Sequence, residues 1–148
     1  MMLGGVEVPH DRGLAGHSDA DVLAHAIADA LLGAARLGDI GKHFPDTDPK
    51  YKNADSLLLL HHCSELLSEK GYTVLDVDSV ICAQAPRLSP FREQMRANLA
   101  AAIGVDVKNI GVKATTTEHL GFEGREEGIS AYATCLLSHR SGSSSERQ

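Results

Sequence analysis

The alternation of apolar and polar residues predicts a long helix near the start of the chain, over residues 19–36. Its apolar residues recur at the spacing of one helix face: Val22, Ile27, Leu31 and Ala34. Ser18 is placed to cap this helix, and Gly38 is placed to end it. We therefore predict an amphipathic helix that packs one face against the core.

A second helix is predicted over residues 57–70. Asp55 or Asn53 is placed to cap it, and Gly71 follows its last turn. Leucine occupies the four positions 57–60 and returns in the following turns. This apolar surface is broader than one stripe requires, which favours packing against the sheet and a further contact with a subunit.

The predicted strands and a third helix complete the pattern. Strands are expected at residues 2–8, 73–83, 107–115 and 128–138. Ser89 and Pro90 form a cap and first turn for a helix that ends at Gly104. This order predicts a two-layer α/β (α+β) fold, with a mixed four-stranded sheet and helices packed on one face. We expect one domain over residues 1–138 and a disordered tail over 139–148.

Composition narrows the class of protein. A chain of 148 residues supports a single core. Its 20 acidic and 14 basic residues give a net charge of −6, which disfavours binding to nucleic acid or to an anionic membrane. The three cysteines lack Cys-x-x-Cys spacing and favour buried thiols in a reducing compartment. No apolar run reaches membrane length and no signal peptide is recognisable, so we expect a cytoplasmic protein.

A second edge of the first helix carries candidate chemistry. Asp21, His25 and Asp29 lie at positions i, i+4 and i+8, and such a row of carboxylates can orient a metal-bound imidazole. The alternative is a histidine that is hydrogen-bonded to a neighbouring aspartate and has no chemical role. His17, just ahead of the helix, is placed to bind a phosphate together with the free N–H groups of the first turn.

Two segments at predicted strand ends also carry candidate chemistry. Residues 115–118 offer three hydroxyls to phosphate and one carboxylate to a divalent cation, and Lys113 and Arg125 add positive charge. Residues 83–89 connect a strand to a helix, and their backbone groups can read the edge of a nucleobase. The alternatives are a threonine-rich strand edge and a plain connection stiffened by proline. No glycine-rich motif for ATP or NAD is present.

Several longer motifs carry a resemblance to a known family. They are Leu3-Gly-Gly-Val, His17-Ser-Asp-Ala-Asp, Asp39-Ile-Gly, Phe44-Pro-Asp-Thr-Asp, Ala83-Gln-Ala-Pro and Lys113-Ala-Thr-Thr-Thr-Glu. In this order they resemble the 2-C-methyl-D-erythritol 2,4-cyclodiphosphate synthase family of the non-mevalonate isoprenoid pathway. The resemblance covers nearly the whole chain and omits only the C-terminal tail.

The resemblance implies a metal-dependent lyase of terpenoid precursor synthesis. Such an enzyme closes the 2-phosphate of 4-diphosphocytidyl-2-C-methyl-D-erythritol 2-phosphate onto the β-phosphate and releases CMP. His17 and Thr116 would be catalytic, His25 would bind zinc or another divalent metal, and Glu118 would bind magnesium or manganese. The implied substrate-binding residues are His17, Ser18, Asp39, Ile40, Gly41, Phe44, Pro45, Asp46, Thr47, Asp48, Ala83, Gln84, Ala85, Pro86, Arg87, Leu88, Ser89, Thr115, Thr116, Thr117, Glu118, Phe122 and Arg125.

One departure from the family pattern concerns the zinc site. The family takes its other two zinc ligands from an Asp-x-His motif ahead of the Leu-Gly-Gly-Val strand, and no Asp-x-His occurs in this sequence. We expect a start codon placed too late, because nothing else in the sequence has decayed. The other interpretation is a shortened and impaired homologue.

The resemblance also implies a homotrimer with active sites between adjacent subunits. An alternative function is a module that binds a cytidine nucleotide or diphosphate without chemistry. A third is a trimeric interaction protein with neither property.

Overall fold

The chain is organised by one sheet and the helices that pack on it. The structure, a computed structural model, describes residues 1–9, 20–45 and 55–140. Within these ranges, strands and helices form a mixed α/β fold, as predicted. None of the described helices is long and apolar enough to cross a membrane.

The first residues form a hairpin, whereas the sequence predicts one strand. β1 (Met2–Leu3) pairs antiparallel with β2 (Val6–Glu7). The connecting residues Gly4 and Gly5 have φ angles of +56° and +74°. Two positive φ angles in a row are the geometry of a tight hairpin turn, which glycine adopts without strain. The two glycines therefore mark a turn between strands.

Asp21 starts the first helix, α1 (Val22–Ala34), three residues later than predicted. The Asp21 carboxylate accepts a hydrogen bond from the backbone N–H of Ala24 at 2.9 Å, so Asp21 is the N-cap and the prediction for Ser18 is wrong. The buried face consists of Leu23, Ala24, Ile27, Ala28, Leu31 and Leu32. It lies slightly to one side of the predicted stripe and leaves Ala34 exposed.

The end of α1 is closed by an arginine and not by the predicted Gly38. Arg36 has a left-handed φ of +59°. Its N–H donates to the carbonyl of Gly33 at 3.0 Å, and the N–H of Leu37 donates to the carbonyl of Leu32 at 2.8 Å. These two bonds satisfy the last carbonyls of the helix in a Schellman arrangement.

Two more helices follow in chain order. α2 (Ile40–His43) is a short helix in a stretch for which the sequence pattern predicted neither helix nor strand. α3 (Ser56–Glu69) is capped by Asp55, which confirms that prediction. Of its leucines, Leu60 and Leu67 are buried while Leu58 is 51% exposed. The broad leucine surface is therefore mostly covered by the chain's own core.

Three strands form the main sheet. β3 (Tyr72–Cys82) lies in the centre, with β4 (Ile110–Thr115) parallel to it on one side and β5 (Ser130–His139) antiparallel to it on the other. The prediction of one four-stranded sheet is wrong, because the first predicted strand is a separate hairpin. β5 extends into the segment predicted to be a tail, and residues 141–148 lie outside the described residues.

The third predicted helix, α4 (Arg92–Ile103), follows a 3-10 turn over Ser89–Phe91. Ser89 lies inside that turn and makes no capping bond, so its predicted role as a cap is wrong. Gly104 ends α4 with a left-handed φ of +84°, as predicted. A last short helix, α5 (Gly121–Gly124), was not predicted.

The helices cover one face of the sheet. On that face, side chains alternate along β5 as predicted: Ala131, Ala133, Cys135 and Leu137 pack against the core. On the opposite face Tyr132 is 62% and Leu136 57% exposed. We call this opposite side of β3, β4 and β5 the outer face.

Candidate functional site

The ends of β3 and β4 bring two predicted segments together. Parallel strands end at the same edge of a sheet, so residues 83–89 and 115–119 both leave from that edge. The backbone N–H of Ala83 donates to the carbonyl of Thr115 at 2.9 Å. The N–H of His119 donates to the side-chain carbonyl of Gln84 at 3.0 Å. These contacts join residues 83–89, which are predicted to read a nucleobase (the cytosine segment), to residues 115–119, which include the predicted phosphate-binding residues 115–118 (the phosphate segment).

The first segment is anchored at both ends. Ala83 and Leu88 are 6% and 4% exposed, respectively, so they belong to the core. Between them the peptide bond from Ala85 to Pro86 is cis, and Arg87 is exposed. The segment thus presents backbone groups and small side chains at the surface from two buried anchors.

The second segment is held by its own hydroxyls. Thr116 Oγ1 accepts a hydrogen bond from the N–H of Glu118 at 3.2 Å, and Thr117 Oγ1 donates to the carbonyl of Leu120. Glu118 and His119 have left-handed φ angles of +53° and +67°, which residues other than glycine seldom adopt. The carboxylate of Glu118 is exposed at this edge.

The cations expected to assist phosphate binding are already paired. Lys113 Nζ lies 2.6 Å from both carboxylate oxygens of Asp78 on the outer face. This hydrogen bonding from Lys113 holds the pKa of Asp78 below its ordinary value. Arg125 Nε lies 2.9 Å from Glu127. The extra positive charge predicted for a phosphate is therefore compensated within the chain.

Phe122 belongs to the same loop region as Arg125. It follows Gly121 in α5 and is 46% exposed. A Cβ placed on Gly128 would lie 3.1 Å from its ring. The ring therefore rests on the backbone of Gly128, and part of it stays open to a ligand.

The predicted row of carboxylates beside His25 has a different role. Asp21 is 2% exposed and accepts hydrogen bonds from four donors, which are the N–H groups of Gly4, Gly5 and Ala24 and the hydroxyl of Ser56. Asp29 accepts from the N–H of Ile40 at 2.9 Å. Neither carboxylate bonds to the His25 ring. Asp21 and Asp29 position other backbone segments around α1.

Residues 39–45 lie next to α1 through that Asp29 contact. Asp39 caps α2 by accepting from the N–H of Lys42 at 3.0 Å, while Gly41 and Pro45 are exposed. Phe44 is 9% exposed, and its ring stacks on His62 with centroids 6.3 Å apart. Phe44 therefore packs in the core, and its neighbours offer the accessible surface.

Some predicted residues lie outside the described ranges: His17, Ser18, Asp46, Thr47 and Asp48. Among the described residues, no hydrogen bond or ion pair joins His25 or residues 39–43 to residues 83–89 or 115–119. We describe the predicted site as two groups, one on α1 and α2, where Asp29 accepts from Ile40, and one at the ends of β3 and β4, where Gln84 accepts from His119.

Comparisons with known proteins decide the family. The YgbB family matches residues 1–138. This chain belongs to the YgbB family. It is 56% identical over 140 residues to the 2-C-methyl-D-erythritol 2,4-cyclodiphosphate synthase of Chlorobium phaeobacteroides, covering 95% of this chain and 88% of that protein. It is 61% identical to the same synthase of Geobacter metallireducens, covering 95% of this chain and 89% of that protein.

Solved structures of YgbB relatives agree. The bifunctional IspDF of Campylobacter jejuni matches with a TM-score of 0.87 and 45% identity, over 95% of this chain and 38% of that protein. The IspF of Plasmodium falciparum in complex with CDP matches with a TM-score of 0.78 and 31% identity, over 95% of this chain and 84% of that one. These comparisons confirm the predicted resemblance and the predicted function as a cyclodiphosphate synthase.

The described residues of this YgbB member do not complete a zinc site. No group of three His, Cys, Asp or Glu side chains within the described ranges could hold a metal ion. His25 is half-buried on α1, and the nearest carboxylates along the helix are occupied by other donors. A catalytic zinc uses three protein ligands, so His25 supplies at most one of them. Magnesium differs, because one carboxylate and substrate phosphates are enough to bind it, and Glu118 fits that role.

Sequence reasoning missed the contact between Gln84 and His119. The sequence did offer one signal for this contact, because each residue follows a strand and both strands were predicted to lie in one sheet. Sequence reasoning also missed a groove of about 550 Å³, which is lined by residues of α4, of β3 and of β4 with the turn before it. Arg92, Arg96 and Lys108 line this groove together with Asp76 and Glu93, and Arg96 is paired with Glu93 at 2.7 Å. Of the residues predicted to assist phosphate binding, Lys113 lines this groove, where it is paired with Asp78.

Proposed function

We propose that this chain converts 4-diphosphocytidyl-2-C-methyl-D-erythritol 2-phosphate into 2-C-methyl-D-erythritol 2,4-cyclodiphosphate and CMP. The reaction makes the enzyme a lyase of isoprenoid precursor synthesis. The observation that carries the proposal is the junction of residues 83–89 and 115–119 at one edge of the sheet. The family match over residues 1–138 supports one synthase domain across them. A cytoplasmic location stays a prediction from the sequence.

The strand-end group is the nucleotide half of the site. The backbone of residues 83–89 binds the cytosine edge, because main-chain donors and acceptors select a base without charged side chains. Thr116 then faces the phosphates with its hydroxyl donor, since its oxygen accepts from the N–H of Glu118. Thr115 and Thr117 line the same surface, and their hydroxyls donate to the carbonyls of Thr116 and Leu120. Glu118 holds a magnesium or manganese ion, which neutralises phosphate charge when bound. A relative solved with CDP bound supports a cytidine diphosphate ligand.

The chemistry is an internal phosphoryl transfer. An oxygen of the 2-phosphate attacks the β-phosphorus, a new P–O–P bond closes the ring, and the bond between the β-phosphorus and the oxygen of CMP breaks. CMP leaves with that electron pair. Two anionic groups repel each other, so catalysis consists of positioning them and stabilising the charge with fixed donors. Thr116 and His17 are the proposed donors.

The α1 and α2 group is the methylerythritol half of the site. Ser18, residues 39–41 and residues 44–48 bind that portion, with Asp39 held in place as the cap of α2. His25 is proposed as one zinc ligand. A zinc ion would act there as a Lewis acid that orients phosphate. The described residues do not complete its ligand set, so we assign no step to it.

A homotrimer would bring the two halves together from adjacent subunits. Each group is held by its own contact, Asp29 with Ile40 in one and Gln84 with His119 in the other, so adjacent subunits can contribute one group each. The outer face supports assembly, because Tyr132 and Leu136 expose apolar surface there. Contiguous exposed apolar surface on a folded chain is typical of a protein interface.

Release of CMP from the proposed substrate tests the function. It is measured with zinc and magnesium for the protein expressed from the full open reading frame. We expect release by this protein and much slower release by its Glu118→Gln variant, since Gln cannot hold the cation as a carboxylate does. CMP binding without release would favour the alternative, a binding module without chemistry.

A further inference from the structure

Gln84 lies in the proposed cytosine segment, but its side chain is directed elsewhere. Its Oε1 accepts a hydrogen bond from the backbone N–H of His119 at 3.0 Å. A glutamine has one side-chain carbonyl oxygen, and here it accepts from the turn of residues 116–119. The side chain therefore connects the cytosine segment to the phosphate segment.

The residue that Gln84 holds has an unusual conformation. Glu118 and His119 have consecutive left-handed φ angles of +53° and +67°. Residues other than glycine keep such angles where the surroundings hold them, often at functional sites. The backbone of His119 therefore needs fixed partners.

The hydrogen bonds around this segment are mostly internal. Thr116 bonds to Glu118, and Thr117 bonds to Leu120. Among the described residues, Gln84 makes the only side-chain hydrogen bond to positions 116–119 that comes from another part of the chain. The opposite side of His119 meets the backbone of Gly124, where an added Cβ would lie 2.1 Å from the carbonyl carbon of His119.

We infer that Gln84 is a positioning residue for the proposed reaction: it fixes the turn at His119 and so sets the direction of the neighbouring Thr116 hydroxyl and Glu118 carboxylate toward the diphosphate. The inference rests on the proposed function for its ligand. In this role the side chain of Gln84 holds the turn, while backbone groups of residues 83–89 read the cytosine. Water can satisfy the N–H of His119 when the glutamine is removed, but water does not tether the turn to β3.

The test compares Gln84→Leu with Gln94→Leu as a matched control. Gln94 is an exposed glutamine on α4 whose amide bonds to Asn98 at 2.8 Å, away from the turn. Titration calorimetry measures the binding of CDP with magnesium and the binding of cytidine alone. We expect Gln84→Leu to weaken CDP binding about tenfold, as loss of a positioning hydrogen bond does, and to leave cytidine binding unchanged. Gln94→Leu leaves both unchanged.

Amide hydrogen exchange supplies a second readout that is independent of ligands. In Gln84→Leu the His119 amide exchanges faster, while the Ala83 amide, bonded to Thr115, keeps its protection. Gln84→Glu retains an acceptor and restores protection at His119. Faster exchange at both amides would mean general loss of structure and would overturn the inference.

The outcomes separate this inference from the proposed function. A parent chain that binds no CDP contradicts the proposed function and the role of Gln84 in it. A parent that binds CDP, with equal affinity in Gln84→Leu, overturns the role of Gln84 alone. Parallel loss of cytidine and CDP binding would show that Gln84 contacts the base, which also overturns it.

Discussion

Asp21 Oδ2 accepts a hydrogen bond from Ser56 Oγ at 2.9 Å, across 35 positions of the sequence. The same carboxylate accepts the N–H groups of Gly4 and Gly5 in the hairpin turn and caps α1 through Ala24. One buried side chain therefore joins the hairpin, α1 and α3. It also sets the direction of α1, on which His25 lies one turn further along.

Replacing Asp21 tests this connection. Asp21→Ala leaves three buried or partly buried N–H groups without their acceptor, and each unsatisfied group is costly, so we expect a loss of about 3 kcal/mol in the free energy of unfolding. Ser56→Ala removes one of the four bonds and costs about 1 kcal/mol. Urea unfolding measures both. Ser68→Ala, an exposed position on the same helix, serves as the control, and an equal loss in all three variants would contradict the account.

A substitution at Gly124 tests the close approach of α5 to the turn at His119. An alanine there would place its Cβ 2.1 Å from the His119 carbonyl carbon, so the backbone must move. We expect Gly124→Ala to destabilise the fold by about 2 kcal/mol and to weaken CDP binding. Gly33→Ala is the control, because nothing lies within 4 Å of the added atom there. CDP affinity equal to the parent's in Gly124→Ala would refute the role of this contact.

The raised pKa of the Cys63 thiol predicts that the free energy of unfolding depends on pH in the alkaline range. Burial, with a smaller effect from Asp29, raises its pKa from about 9 to about 12. The folded state therefore keeps the proton while the unfolded state releases it, and stability falls as the pH rises from about 9 toward 12. Urea unfolding across this pH range measures the fall. The fall should be smaller in Cys63→Ala; an identical pH dependence in both chains would contradict this assignment.

A charge placed on the outer face tests whether this face forms the proposed subunit interface. Leu136 is 57% exposed on β5, and Leu136→Lys places a charge on the proposed subunit interface. We expect this variant to become a folded monomer, because its side chain has little packing to lose within one chain. Val107→Lys is the control, because Val107 is 40% exposed in the turn before β4, outside both the outer face and the leucine surface of α3. Light scattering after gel filtration measures the mass. A trimer that survives Leu136→Lys, or a parent that is monomeric, would contradict the proposed assembly.

Local signals predicted much of the fold. Helical spacing, the Asp55 cap and the left-handed Gly104 identified α3 and α4, because each depends on residues close in sequence. The alternation of side chains along β5 identified its buried face. The error in the sheet was also local: the consecutive left-handed φ angles of Gly4 and Gly5 make a hairpin turn, which left three strands in the main sheet.

In the candidate site, the sequence predicted which segments take part, but not the distant partners of their side chains. Long motifs identified the family and predicted both groups of site residues, and the parallel pairing of β3 with β4 brings the segments of one group together. Helical spacing alone suggested that Asp21 and Asp29 orient His25. In the fold, both carboxylates bind backbone N–H groups from other segments. Spacing gives the face of a helix on which a side chain lies, but not the distant donor that reaches it.

Phosphorus NMR of the reaction tests the central claim most directly. The protein expressed from the full open reading frame is incubated with 4-diphosphocytidyl-2-C-methyl-D-erythritol 2-phosphate, zinc and magnesium. The account predicts equal amounts of CMP and a cyclic diphosphate, with conversion slowed in Thr116→Ala. Release of CMP together with an open-chain bisphosphate would show hydrolysis in place of ring closure and would contradict the account, as would a substrate spectrum that does not change.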